Sequence, residues 1–149
     1  MRRLRGEHRE PESMFSYVSP EQRIPKNHPL RAIRALVDEV LADMSRKFDR
    51  LYATTGRPSI PPERLLRAQL LQVFYSIRSE LLLMEQLDYN LLYRWFVGLT
   101  MDDPVWDATT FTKNRDRLLN QEVARSFFRR VVERADGLVS ESTSPWMAH

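Results

Sequence analysis

Trp106-Asp107-Ala108-Thr109-Thr110-Phe111-Thr112-Lys113-Asn114-Arg115-Asp116-Arg117-Leu118-Leu119 combines a carboxylate and hydroxyl start, an apolar anchor and a cationic outer side. Asp107, Thr109 or Thr110 can accept a backbone N–H where the first turn of a helix leaves four donors unpaired, so a helix is expected to begin here. Phe111 and Leu118, a seven-residue step apart, share the face that packs on a neighbour. Lys113, Asp116, Arg117 and Asn120 fall on the opposite face, with Thr109 and Thr110 at its N-terminal end. Helices that read DNA enter the major groove N-terminus first, setting Asn, Gln, Arg or Thr on base edges and Lys or Arg on phosphates. The same composition also describes a solvated helix face, so its surroundings decide between the two.

Upstream, Asn90 is expected to cap a helix containing Leu91, Leu92, Trp95 and Phe96, and Gly98 to end it. The loop from Leu99 to Val105 then leads into the quoted helix, giving helix, turn, helix in sequence. Ser79 with Glu80 starts another helix, with Leu82, Leu83 and Leu87 inward. Before it, Leu65, Leu66, Ala68, Leu70, Leu71, Val73, Phe74 and Ile77 form a stripe wide enough for the core helix of the domain, with Ser59 as its expected cap. Tyr52 to Pro62 reads as a connector, broken by Gly56, Pro58 and the Pro61-Pro62 pair. The first long helix is expected from an Asn27 cap with Pro29 in its first turn to about Phe48, carried by Leu30, Ile33, Leu36, Val37, Val40, Leu41 and Met44. Downstream, a last helix runs from about Gln121 to Asp136, with Val123, Phe127, Phe128, Val131 and Val132 on its buried side.

No alternating strand pattern and no internal repeat interrupt this series. The predicted fold is all-α, a compact domain of about five to six helices over residues 14–136 that contains a helix-turn-helix-like unit. Residues 1–13 mix Arg with Glu and read as a mobile tail, or alternatively as an arm into a DNA groove; Met14 to Val18 is a short apolar patch, and residues 137–149 have no period and read as disordered.

The 149 residues suit a single domain. With 23 cations against 20 anions and a net charge of +3, the chain permits a nucleic-acid partner without requiring one. There is no cysteine, hence neither a disulfide nor a thiolate metal site. The most apolar run, Leu65 to Leu87, is interrupted by Arg67, Arg78, Glu80 and Glu85, so no membrane span is expected, and the start lacks the apolar region of a signal peptide. A cytoplasmic protein is expected. His8, His28 and His149 are scattered, the four glycines are ungrouped, and Asp102, Asp103 and Asp107 read as turn and cap residues before they read as metal ligands. No cofactor is expected.

Three further blocks occur in order: Pro58-Ser59-Ile60-Pro61-Pro62-Glu63-Arg64-Leu65-Leu66-Arg67, Tyr75-Ser76-Ile77-Arg78-Ser79-Glu80 and Tyr93-Arg94-Trp95-Phe96-Val97-Gly98-Leu99. Together with Asp107 to Leu118 they resemble the N-terminal region of bacterial insertion-sequence transposases, the DDE-type group typified by insertion sequence five. The likeness runs from about Met14 to Arg134. It implies a helical domain that binds the double-stranded inverted repeats of the element, with Thr109, Thr110, Lys113, Asn114 and Arg117 as candidate DNA contacts. In that family a ribonuclease-H-like catalytic domain follows, whereas this sequence gives Ala135-Asp136-Gly137-Leu138-Val139 and a polar tail. The expectation is therefore a truncated transposase without strand-cleavage chemistry of its own, able to associate with itself or with an intact enzyme. Two rival readings are a homodimer module built on residues 91–96 and 123–132, and a remnant without function.

Overall fold

Pro29 fixes the start of the first long helix, because a proline at the first helical position needs no N–H partner. The residue before it, His28, is the cap: its Nδ1 accepts the Leu30 N–H at 3.1 Å. Asn27, the cap expected from sequence, lies one residue too early. The structure, a computed structural model, describes residues 17–56 and 58–141, with side chains through residue 137. The expected tail at 1–13, Met14 to Ser16 of the apolar patch and residues 142–149 lie outside the described residues.

Among the described residues there are eight helices and no strand: α1 (Pro20–Arg23), α2 (Pro29–Asp43), α3 (Ser45–Thr55), α4 (Pro62–Phe74), α5 (Glu80–Tyr89), α6 (Leu91–Val97), α7 (Ala108–Leu119) and α8 (Glu122–Glu141). The all-α expectation holds. Three boundaries differ from it. The helix expected to run unbroken to Phe48 is divided at Met44, and α3 carries on to Thr55, into what reads as connector. Met44 and Phe48 are both buried, so the apolar period passes through the break without a gap. Helix α4 starts at Pro62 after a Pro61 cap that offers no side-chain acceptor, and Ser59 stands outside it. Helix α8 continues past Asp136 to Glu141.

Helix α2 packs along α8, where Arg134 reaches Asp43 at 2.5 Å and Glu39 at 3.4 Å. Helix α6 lies against α1, α4 and α5, while α7 lies against α4, α5 and α8. The centre is a continuous apolar cluster that includes Val37, Val40, Leu66, Leu71, Leu83, Leu87, Phe96, Phe111 and Phe127. Tyr93, Trp95 and Phe96 of the surface invoked for a homodimer are buried in this core. Four apolar residues expected inside face solvent instead: Val73 and Phe74 at the end of α4, Leu82 on α5, and Val132 on α8. Leu82 lies beside Leu81, which the sequence gives no partner; both are outward on a helix whose inward residues are Leu83, Met84 and Leu87.

Candidate nucleic-acid interface

Helix α7 is fastened at its start by Asp107. One carboxylate oxygen accepts the Thr110 N–H at 2.7 Å and the other accepts the Thr110 hydroxyl at 2.9 Å. The backbone N–H of Thr110 is the main reason that the Asp107 carboxyl stays below its usual range. Trp106, just before the cap, stacks on Phe111 with ring centroids 6.5 Å apart, a hydrophobic staple that sets the angle at which the chain enters the helix. Phe111 and Leu118 are buried, as their spacing predicts. Arg115, one residue from Asn114, points the other way and pairs with Glu80 at the start of α5 and with Asp116 at 3.2 Å. The Arg115 guanidinium holds the Glu80 carboxyl below its ordinary value.

Cations on the outer side of α7 have no such partner. Lys113 and Arg117 are exposed, and among the described residues neither meets a carboxylate. Together with Thr110, Asn114, Leu118 and Gln121 they line one wall of a groove of about 360 Å³. The facing wall is Leu51 and Thr55 of α3 with Pro58, Ser59, Ile60 and Pro62 of the following segment. Asn114 spans the two walls: its amide nitrogen donates to the Thr110 carbonyl at 2.8 Å, and its Oδ1 lies 3.4 Å from the Ser59 hydroxyl. Four of the five residues singled out in the sequence therefore share one groove. Thr109 does not; it is exposed on the far side of Lys113, in a shallower recess with Ser79, Glu80, Leu81, Ala108 and Thr112. Lys113 is the residue common to both recesses. Thr110 gives its hydroxyl proton to Asp107 and keeps only acceptor capacity outward.

The connection that aims α7 is longer than a tight turn. Residues 98–107 separate it from α6, and its packing surfaces are on α4, α5 and α8. Gly98 ends α6 in the left-handed conformation at φ 92°, where a side chain would be strained. The rest of the connection is gripped by Arg94, a residue the sequence reading passed over. Arg94 is only 2% exposed. Its guanidinium donates to the carbonyls of Leu87 at 2.9 Å, Asp88 at 3.1 Å, Thr100 at 2.5 Å and Asp103 at 2.5 Å. The Asp103 carboxylate in turn accepts the Thr100 N–H at 2.8 Å. Asp103 and Asp107 thus act as the turn and cap residues their positions suggest. No local pattern announces Arg94, because its acceptors are backbone carbonyls, which every residue possesses.

A second cluster missed in the sequence ties α1 to α6. Glu21 accepts the Trp95 indole N–H at 2.5 Å and pairs with Arg31 and, at 3.4 Å, with Arg34. The Arg34 guanidinium stands 4.4 Å from the centre of the Trp95 ring. The indole hydrogen bond, followed by that from Arg31, holds the Glu21 carboxyl below its usual value.

Residues 18–117, more than half of the chain, match the family model described as Transposase domain (DUF772). The chain belongs to this family. No curated protein and no solved structure matches it. The match ends at Arg117, so it covers the α3 wall, the segment after it, and α7 through its last outward cation. Among the described residues, no helix of this transposase domain is long and apolar enough to cross a membrane.

Proposed function

We propose that this transposase domain binds the terminal inverted repeats of an insertion sequence of the DDE type, in the group typified by insertion sequence five. Helix α7 is the element presented to the major groove. These residues hold the DNA, and the phosphoryl-transfer step lies outside them. The observation that carries the reading is the sorting of charge on α7. Arg115 is neutralised inside by Glu80, whereas Lys113 and Arg117 stand exposed, one turn apart and without an acid, on the rim of a groove. A helix that only needed solubility gains from mixed charges at such positions; unpaired cations in register suit a polyanion. Asn114 lies between them in sequence, and beyond its bonds to Thr110 and Ser59 it keeps a second amide N–H and a second oxygen lone pair for a base edge. Thr109, at the exposed N-terminal end, is placed where such helices first meet the groove floor. In this arrangement the long connection from α6, gripped by Arg94, aims α7.

The test is fluorescence anisotropy of the chain on a labelled duplex, comparing Lys113→Ala and Arg117→Ala with Arg125→Ala on the neighbouring helix. Each α7 variant is expected to reduce the dependence of log affinity on log salt by about 0.9, and Arg125→Ala to leave it unchanged. Two α7 variants indistinguishable from the parent would remove this helix from the interface.

A further inference from the structure

The wall of the groove facing α7 is formed in part by α3, a helix that carries cations of its own. We propose that α3 is a phosphate-contacting element, with Lys47 and Arg50 gripping the DNA backbone across the groove from Lys113 and Arg117. The inference rests on the DNA-binding reading of α7 and extends the footprint to a helix that the sequence leaves divided between the end of one helix and a connector.

Leu51 and Thr55 of α3 line the groove directly. Lys47 stands one turn before Leu51 on the same side of the helix, and Arg50, three residues after Lys47, continues that side outward. Both are exposed, and among the described residues neither meets a carboxylate. The one acid of α3, Asp49, falls by its spacing on the side away from Leu51. The opposite edge of α3 is already occupied, since the Tyr52 hydroxyl donates to the Glu63 carboxylate of α4 at 3.1 Å. Lys47 and Arg50 thus lie on the exposed side of α3 that adjoins Leu51, with Asp49 turned from it. Four unpaired cations on two helices, separated by a slot with an apolar floor of Leu51, Ile60, Leu65 and Leu118, form a clamp suited to phosphates along a backbone. The partner is a nucleic-acid backbone rather than a small anion, because the cations are divided between two separate helices.

The experiment measures affinity for one labelled duplex between 50 and 200 mM salt, using the full chain and two variants. Removing both charges in Lys47→Gln/Arg50→Gln is expected to lower the salt slope by about 1.8, two contacts at about 0.9 each. Each contact is then worth roughly a 3.5-fold change in affinity across that fourfold range of salt. Lys26→Gln, which removes an exposed cation that belongs to neither α3 nor α7, should leave the slope where it was. All three positions are exposed, so circular dichroism should report unchanged helix content and melting. If the parent binds and the double variant keeps its slope, the α3 contact is overturned and the α7 reading stands. A slope lost equally in Lys26→Gln also overturns it, since the effect would then be one of net charge. A parent chain that does not bind DNA overturns both readings.

Discussion

Replacing Arg94 by methionine keeps an unbranched apolar stem and removes the guanidinium, with its charge and all its donors. Four carbonyls would lose a partner, those of Leu87, Asp88, Thr100 and Asp103. Hydrogen bonds from a charged donor contribute about 1.5–3 kcal/mol each, but they do not add here. Asp88 and Thr100 are exposed residues whose carbonyls water can reach, whereas Leu87 is fully buried and its carbonyl would be left without a donor. Against the loss stands the relief of no longer burying a guanidinium whose Nε has no partner. The balance is a destabilisation of about 3 kcal/mol. At about 2–4 °C per kcal/mol for a chain near this size, the midpoint of thermal unfolding should fall by roughly 6–12 °C. Arg94→Lys should lie between the two, because an ammonium has three donors and lacks the planar fork that serves the end of α5 and the connection after α6 at once. The assay is thermal melting followed by circular dichroism. A methionine variant that melts within about 2 °C of the parent would refute the argument, and would mean that the buried ion contributes no net stability.

Phe111→Ala empties a fully buried site under α7 and removes the ring on which Trp106 stacks. It should cost about 3–5 kcal/mol in chemical denaturation, and an unmoved transition would place Phe111 outside the core. Glu80 supplies a dependence on pH. Its folded carboxyl lies below the ordinary value of 4.5, chiefly through the Arg115 guanidinium. Folding therefore favours the ionised form, and that stabilisation is complete above 4.5 and is lost as the pH falls through the lower folded value. Between pH 6 and pH 3 the melting midpoint of Glu80→Gln should fall by less than that of the parent, and parallel curves would show that the ion pair contributes nothing.

The features legible in the sequence were those governed by local chemistry. Ser79, Asn90 and Asp107 cap the helices they precede, because each carries an acceptor next to an orphaned backbone N–H. Gly98 stops α6 because it takes the left-handed conformation at little cost. What escaped was non-local or concealed by periodicity. The break at Met44 has no proline or glycine to mark it, and its apolar side chain keeps the stripe intact. His28 outranks Asn27 only through the register that Pro29 imposes. Val131 and Val132 are equivalent in composition, yet one is buried and one exposed, a choice made by where α2 lies. The outward face of α7 was legible as a set of residues. That Thr109 parts from the other four, and that α3 supplies the facing wall, depends on how the fold brings α3 and α7 to one groove, which no short window contains.

The claim that α7 presents a reading face to DNA is tested most directly by titrating the purified chain against two labelled duplexes. One carries the inverted repeat that flanks its own gene, the other the same bases scrambled, each at low and at physiological salt. The account predicts tighter binding to the repeat, with the preference persisting as salt rises, because base contacts outlast the loss of phosphate contacts. Equal binding to both duplexes that salt abolishes, or no binding to either, would contradict it.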